Sequence, residues 1–358
     1  MSNDKTIKDI EKSINFKKLQ KKMKKTLPIY QETESYNFRY AEYADRTDEQ
    51  IKNNHWTWKE IDVSKDKQDF FVRMTDAEKF ATTFVLKLFL KYEISIGGEW
   101  WADKFMKMFK RPEFQRKGIF NSHQELNIHA PFYNELNKQL GLTDDEFYTS
   151  YLKEEELVKR VKFIGKMLNH ELDLIKLATF TFLEGSVLYT SFAFFKHFQM
   201  NGKNMLSSVV RGADMSVLDE NNHANDSADA FKICVQEGFE FKVLNDYNFG
   251  IVVEVIHELL DILKEHEFLI IKKIFSHGNI DGITKAQFEN FYLLRANDCL
   301  MKLGLQPKYH IADKTIYNWF KNTTSLYASN DTFQGKGREY QSLFDKNKVR
   351  YMNIKELN

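Results

Sequence analysis

Glu184 stands in a stretch that should not tolerate a lone charge. From Thr181 to Phe195 the chain reads Thr-Phe-Leu-Glu-Gly-Ser-Val-Leu-Tyr-Thr-Ser-Phe-Ala-Phe-Phe, and Lys176 is the only Lys or Arg within ten residues of the glutamate on either side. An unpaired buried carboxylate is costly, so such a charge must be paired or bound to a metal. Alone, Glu184 fits a satisfied core glutamate or an exposed stripe as well as it fits a ligand. Further along, Leu218-Asp-Glu-Asn-Asn-His223 carries Glu220 and His223 at i, i+3, on one face of a helix. Glu125 and His129 lie at i, i+4, and Glu93 sits in Leu90-Lys-Tyr-Glu-Ile-Ser-Ile-Gly-Gly98. Glu93, Glu125, His129, Glu184, Glu220 and His223 together are the ligand inventory of a dimetal carboxylate centre in a helix bundle, and suit two iron or manganese ions. Glu254-Val-Ile-His257 repeats the Glu-x-x-His spacing without another unpaired carboxylate in an apolar stretch beside it, and reads as structural.

The elements that must position these groups are helices. Only four prolines occur in 358 residues, and nothing between Pro131 and Pro307 forbids helix. Thr75-Asp-Ala-Glu78 is a capping box opening a helix with Phe80, Phe84, Leu88 and Tyr92 on one face. Pro112 starts a second helix that runs to about 139 and stops at Gly141. A third is expected over about 154–199, the most apolar and the most buried. Others follow near 204–236, 247–275 and 285–303. From Gly304 the pattern weakens into Asn, Thr and Ser clusters and Gly335-Lys-Gly337, which reads as an extended tail.

The expectation is an all-α protein with a polar N-terminal arm over 1–50, one helical domain over 51–303 and a tail over 304–358. Six lysines between Lys17 and Lys25 read as a solvated helix face. Hydrophobic residues at 42% and aromatics at 15% provide a large core, and a net charge of +1 gives no electrostatic reason to seek nucleic acid or a membrane. Cys234 and Cys299 have no metal-binding or redox spacing and read as reduced core residues. With no apolar leader and no membrane-length run, a soluble cytoplasmic protein is expected.

With these residues in place, the chain from about Trp56 to Tyr340 resembles the small, radical-generating β subunit of class I ribonucleotide reductase. In that family a tyrosine four residues beyond the first ligand histidine holds a stable radical, and His129-Ala-Pro-Phe-Tyr133 puts Tyr133 there. Apolar side chains such as Leu188 and Phe192 would shield it. The family's Trp-x5-(Asp/Pro)-x-Ser segment is matched by Trp56, Asp62 and Ser64, and its Asp before the last Glu-x-x-His by Asp219. The resemblance implies that Asp219 accepts the free N–H of His129 and links the metals to Trp56. Asp331-Thr-Phe-Gln-Gly-Lys-Gly-Arg-Glu-Tyr340 follows the family's tail outline, 18 residues from the end. Tyr340 would hand the radical to the large subunit, and residues 349–358 would dock there as a peptide that orders on binding.

Some positions depart from the family. The Glu125 to His129 spacing is one residue longer than Glu-x-x-His. Pro131 lacks the N–H for the Asn127 carbonyl, so a bulge could absorb the extra residue. Glu93 stands where Asp is commoner, and Ser216 and Leu218 replace residues usually Ile and Arg.

The resemblance thus implies a ferritin-like bundle with two metal ions per chain, iron first and Mn2 or Mn/Fe as alternatives. It also implies O2 as a reactant, a homodimer, and a large (α) subunit partner for reducing ribonucleoside diphosphates. The rivals are another dimetal carboxylate oxidase or oxygenase, a storage ferritin, and a helical interaction protein without metal.

Overall fold

The computed structural model describes residues 12–53 and 55–330 together with Ile7 and Ile10, and side chains as far as Thr324. Among these residues there is no strand. The chain begins with α1 (Phe16–Thr26), capped by Asn15, whose side chain accepts from the Lys18 N–H at 2.8 Å. Its lysines are exposed while Phe16, Gln20 and Met23 are buried, so the basic run is a solvated face. Together with Leu27, Ile29, Tyr30 and Tyr43 of α2 (Ala41–Asn53), these side chains dock on the bundle. Segment 1–50 is therefore not a free polar arm from residue 16 onward, because Phe16, Met23, Leu27, Ile29, Tyr30 and Tyr43 are buried against the bundle.

Next comes α3 (Asp76–Ile94), started by the Thr75/Glu78 capping box and continued as a wide-turned π segment over Ser95–Phe105. The second expected helix is α4 (Pro112–Gln124), a π segment Glu125–His129, and α5 (Ala130–Gln139). It ends at Gly141, whose φ of +74° suits the residue that stops a helix.

The expected helix over 154–199 is not continuous. It divides into α6 (Glu155–Met167), then α7 (Asp173–Phe182), a π segment Leu183–Val187 and α8 (Leu188–Lys196). The break falls at polar Asn169-His170-Glu171, where His170 Nδ1 accepts from the Leu172 N–H at 2.9 Å and Gln20 Oε1 accepts from the Asp173 N–H at 2.8 Å. These two contacts satisfy N–H groups at the new helix start in place of an intrahelical ladder.

Three long helices follow, α9 (Ser207–Glu240), α10 (Asp246–Ile274) and α11 (Lys285–Lys302). Segment 304–330 is not simply extended. It forms α12 (Thr315–Asn330), whose Phe320 ring lies 5.7 Å from Tyr189 and 5.1 Å from Phe291. Ile316, Phe320 and Thr324 recur every four residues and are buried, a helical stripe hidden among the Asn and Thr residues around it.

The bundle closes over a few internal ion pairs. Arg160 on α6 bonds Glu267 on α10, and its Nε donates to Tyr92 Oη at 2.9 Å. Lys117 on α4 pairs with Asp226 on α9 at 3.1 Å. Such pairs fix which helices are neighbours, since leaving one charge alone inside is costly. No described helix is long and apolar enough to cross a membrane.

Candidate metal centre

Each of the six expected ligands is buried, and together they form two groups that share Glu125 and Glu220. One is Glu93, Glu125, His129 and Glu220; the other is Glu125, Glu184, Glu220 and His223. Within each, one candidate ligand atom per residue lies within 4.8 Å of the others. His129 Nδ1 is 3.2 Å from Glu125 Oε2, 3.2 Å from Glu220 Oε1 and 3.6 Å from Glu93 Oε2. His223 Nδ1 is 2.8 Å from Glu125 Oε1, 2.8 Å from Glu220 Oε2 and 3.5 Å from Glu184 Oε2.

The local backbone explains how the sequence reaches this geometry. Glu125 to His129 forms a π turn in which the Ala130 N–H bonds the Glu125 carbonyl, five residues back. The wider turn absorbs the extra residue and keeps both side chains on one face, next to Pro131 with its missing N–H. Glu184 also sits in a π turn, Leu183–Val187, where the Gly185 carbonyl accepts from Arg295 Nε at 3.0 Å. Gly97, one turn beyond Glu93, allows the π segment to approach the second ligand helix. A Cβ there would lie 2.7 Å from Leu126 Cγ and 2.8 Å from Glu125 Cβ.

Outside the carboxylates, both imidazoles are held by their Nε2 atoms. His129 Nε2 lies 3.1 Å from Asp219 Oδ2, which also accepts from Trp56 Nε1 at 2.8 Å. His223 Nε2 lies 3.1 Å from Gln124 Oε1. A carboxylate and an amide oxygen only accept, so each Nε2 carries a proton, which leaves Nδ1 as the atom each imidazole would offer to a metal. Sequence reasoning supplied Asp219 but missed Gln124, whose only signal is its position one residue before Glu125. The Trp101 ring, 5.6 Å from that of His223, was missed as well.

The electrostatics of the cluster call for cations. Burial and then the Glu125 charge push Glu93 well above the ordinary carboxylate range, and burial and then Glu220 do the same to Glu184. Burial disfavours charge on His129, yet Glu220 and Glu125 outweigh it and push the imidazole up. Both oxygens of Glu93 and both of Glu184 lack a hydrogen-bond donor. Four carboxylates facing two neutral imidazoles need about four positive charges, and two divalent ions supply them, so the donor set fits a dimetal group.

Tyr133 lies beside this cluster and is buried, its hydroxyl without a hydrogen-bond partner. Burial and the Glu93 charge push the phenol well above its usual pKa, so it stays protonated. Phe89 on α3 stacks on it, with ring centroids 4.2 Å apart at 15°, and Phe192 packs 5.7 Å from Phe89. Of the expected shield, Phe192 thus stands behind Phe89, one helical turn before Glu93, which sequence reasoning had not singled out. Glu254 is exposed and His257 half-buried, bonded through its carbonyl to Lys308 at 3.1 Å, and the pair takes no part in the cluster. Tyr340 lies outside the described residues.

The ribonucleotide reductase small-chain family matches residues 32–315. The chain belongs to that family. A probable ribonucleoside-diphosphate reductase small subunit of Invertebrate iridescent virus 3 is 22% identical over 322 residues, covering 85% of this chain and 82% of the viral one. The ribonucleotide reductase R2 subunit from Clostridium botulinum has a similar fold, with a TM-score of 0.71 at 21% identity over 82% of this chain and 91% of its own. So does the dimanganese(II) NrdF protein of Streptococcus sanguinis, with a TM-score of 0.67 at 20% identity over 78% and 94%. This small chain of ribonucleotide reductase is thus built on the ferritin-like bundle. The readings as storage ferritin, other dimetal oxygenase or non-enzymatic helical protein are set aside by that match.

Proposed function

We propose that Glu93, Glu125, His129, Glu184, Glu220 and His223 would hold two metal ions per chain, Glu125 and Glu220 being common to both ligand groups. Iron is the first expectation, since at a site of oxygen and nitrogen ligands it binds more tightly than manganese; Mn2 and Mn/Fe use the same donors. A metal pair of this kind, after reaction with O2, supplies a one-electron oxidant. Tyr133 would lose one electron to that oxidant and its phenolic proton toward the Glu93 side of the cluster, leaving a phenoxyl radical that Phe89 and Phe192 screen from reductants. Asp219 holds His129 and Trp56 on one oxygen and so offers a route between the metals and Trp56. From there the oxidising equivalent leaves through Tyr340 to the large subunit, bound by residues 349–358, for reduction of ribonucleoside diphosphates. The working unit is a homodimer in the cytoplasm.

One observation carries this reading: two buried ligand groups share two carboxylates and sit directly beside a buried phenol. The test is deoxynucleotide formation by the metal-loaded chain mixed with its large subunit. Tyr340→Phe should abolish turnover while metal content and the tyrosyl signal stay unchanged. Deleting 345–358 should weaken association of the two subunits instead. Normal turnover by Tyr340→Phe would remove Tyr340 from the route.

A further inference from the structure

Ser216 is a hydroxyl where an apolar side chain would be expected. It lies on α9 one turn before Glu220 and one turn after Gly212, so the three share a stripe of the helix. That stripe faces the radical tyrosine's own helix. At Gly212 a Cβ would come within 2.1 Å of Phe132 Cζ, so the α9 backbone lies against the Phe132 ring, next to Tyr133. Ser216 is fully buried and its Oγ has no hydrogen-bond partner, and the Tyr133 hydroxyl is in the same condition.

Buried helical hydroxyls ordinarily satisfy themselves by bonding the carbonyl four residues back. Here Thr179, Thr181 and Ser186 do so at 2.7, 2.9 and 2.7 Å. Ser216 does not, and neither do Thr190 and Ser227; of the three, Ser216 is on the stripe that faces the Tyr133 helix, where the phenol hydroxyl is buried and unpartnered as well, and leaving both unmatched is costly.

We propose that Ser216 is the hydrogen-bond partner of the Tyr133 oxygen, accepting from the phenol and donating to the same oxygen when it carries the unpaired electron. A hydroxyl can do both because it rotates between donor and acceptor, whereas an aliphatic side chain at 216 can do neither. Ser216 is thus a positioning residue that tunes the Tyr133 radical. The proposal rests on the reading of Tyr133 as the radical site.

The experiment is high-field EPR with deuteron ENDOR on the metal-loaded chain exchanged into D2O. A donated hydrogen bond lowers the largest g value of a tyrosyl radical and adds one exchangeable deuteron coupling. Wild type and Ser216→Thr should show both features; in Ser216→Ala the coupling should vanish and the g value rise. Persistence of the coupling in Ser216→Ala, or its absence in wild type, would overturn the proposal. A second measurement needs no radical. In thermal melts of the metal-free full chain, Tyr133→Phe and Ser216→Ala should be non-additive when combined, and strict additivity would overturn the hydroxyl pair. A wild-type chain with no tyrosyl signal but non-additive melts would sink the radical assignment while leaving the bond in place.

Discussion

Trp56 donates its indole N–H to Asp219 Oδ2 at 2.8 Å, across 163 residues of chain. The same oxygen faces His129 Nε2 at 3.1 Å, so one carboxylate orients the His129 imidazole and a tryptophan at once. An indole bonded to a carboxylate is the easier one to oxidise, because the negative charge stabilises the hole. Trp100 and Trp101 have no acceptor for their N–H groups and lack that help.

Two substitutions separate the roles of this bridge. Asp219→Asn should weaken metal binding by about 10–100-fold, since the imidazole loses its anionic anchor. Trp56→Phe should keep both metals and abolish ribonucleotide reduction. Metal titration read beside turnover distinguishes them, and full activity in Trp56→Phe would remove the indole from the route.

The ligand set has an internal control. Glu184→Ala and Glu220→Ala should each lose bound metal on elemental analysis, whereas Glu254→Ala, an exposed position, should retain it. Full occupancy in either of the first two would exclude that residue as a ligand.

How much of this was legible in the chain depends on what carries the signal. Glu184, Glu220 and His223 were readable because a charge in an apolar run or an i, i+3 pair is visible locally. The π turn at Glu125 was foreshadowed by the long spacing and Pro131, two local marks. Gln124, Trp101 and Phe89 were not, because a neutral amide or an aromatic beside a ligand looks like any other core residue until the helices are packed. The break at 168–172 was missed because Gln20, 153 residues away, completes the new helix start. The 315–330 helix was missed because its buried stripe is narrow and Asn, Thr and Ser residues are scattered along it.

The stability of the first ligand helix should depend on pH through Glu78. Burial raises its pKa, but the Lys203 ammonium and the Thr75 N–H outweigh it and hold the carboxyl below its ordinary value. A depressed folded pKa gives stability that is present above the unfolded value, near 4.3, and lost as pH falls through the folded one. Glu78→Gln keeps the capping box but removes the ion pair with Lys203, and should therefore lower stability at pH 7. In denaturant melts that difference should shrink to nothing as the pH drops below the folded pKa. A difference independent of pH would show that the charge contributes nothing.

The Arg160–Glu267 pair joins α6 to α10 in the buried interior of the bundle. Arg160→Met leaves the Glu267 carboxylate buried without a counter-ion and should cost about 3–5 kcal/mol in thermal unfolding. The double change Arg160→Met with Glu267→Leu should recover most of that loss. A single variant as stable as wild type would show that water reaches the site.

The most direct measurement is a low-temperature EPR spectrum of the metal-loaded chain and its Tyr133→Phe variant, with metal content determined on the same samples. Two metal ions per chain are expected in both, with a tyrosyl signal in the wild type alone. A tyrosyl signal that survives in Tyr133→Phe, or a wild-type chain that takes up no metal pair, would contradict a buried dimetal centre that oxidises Tyr133.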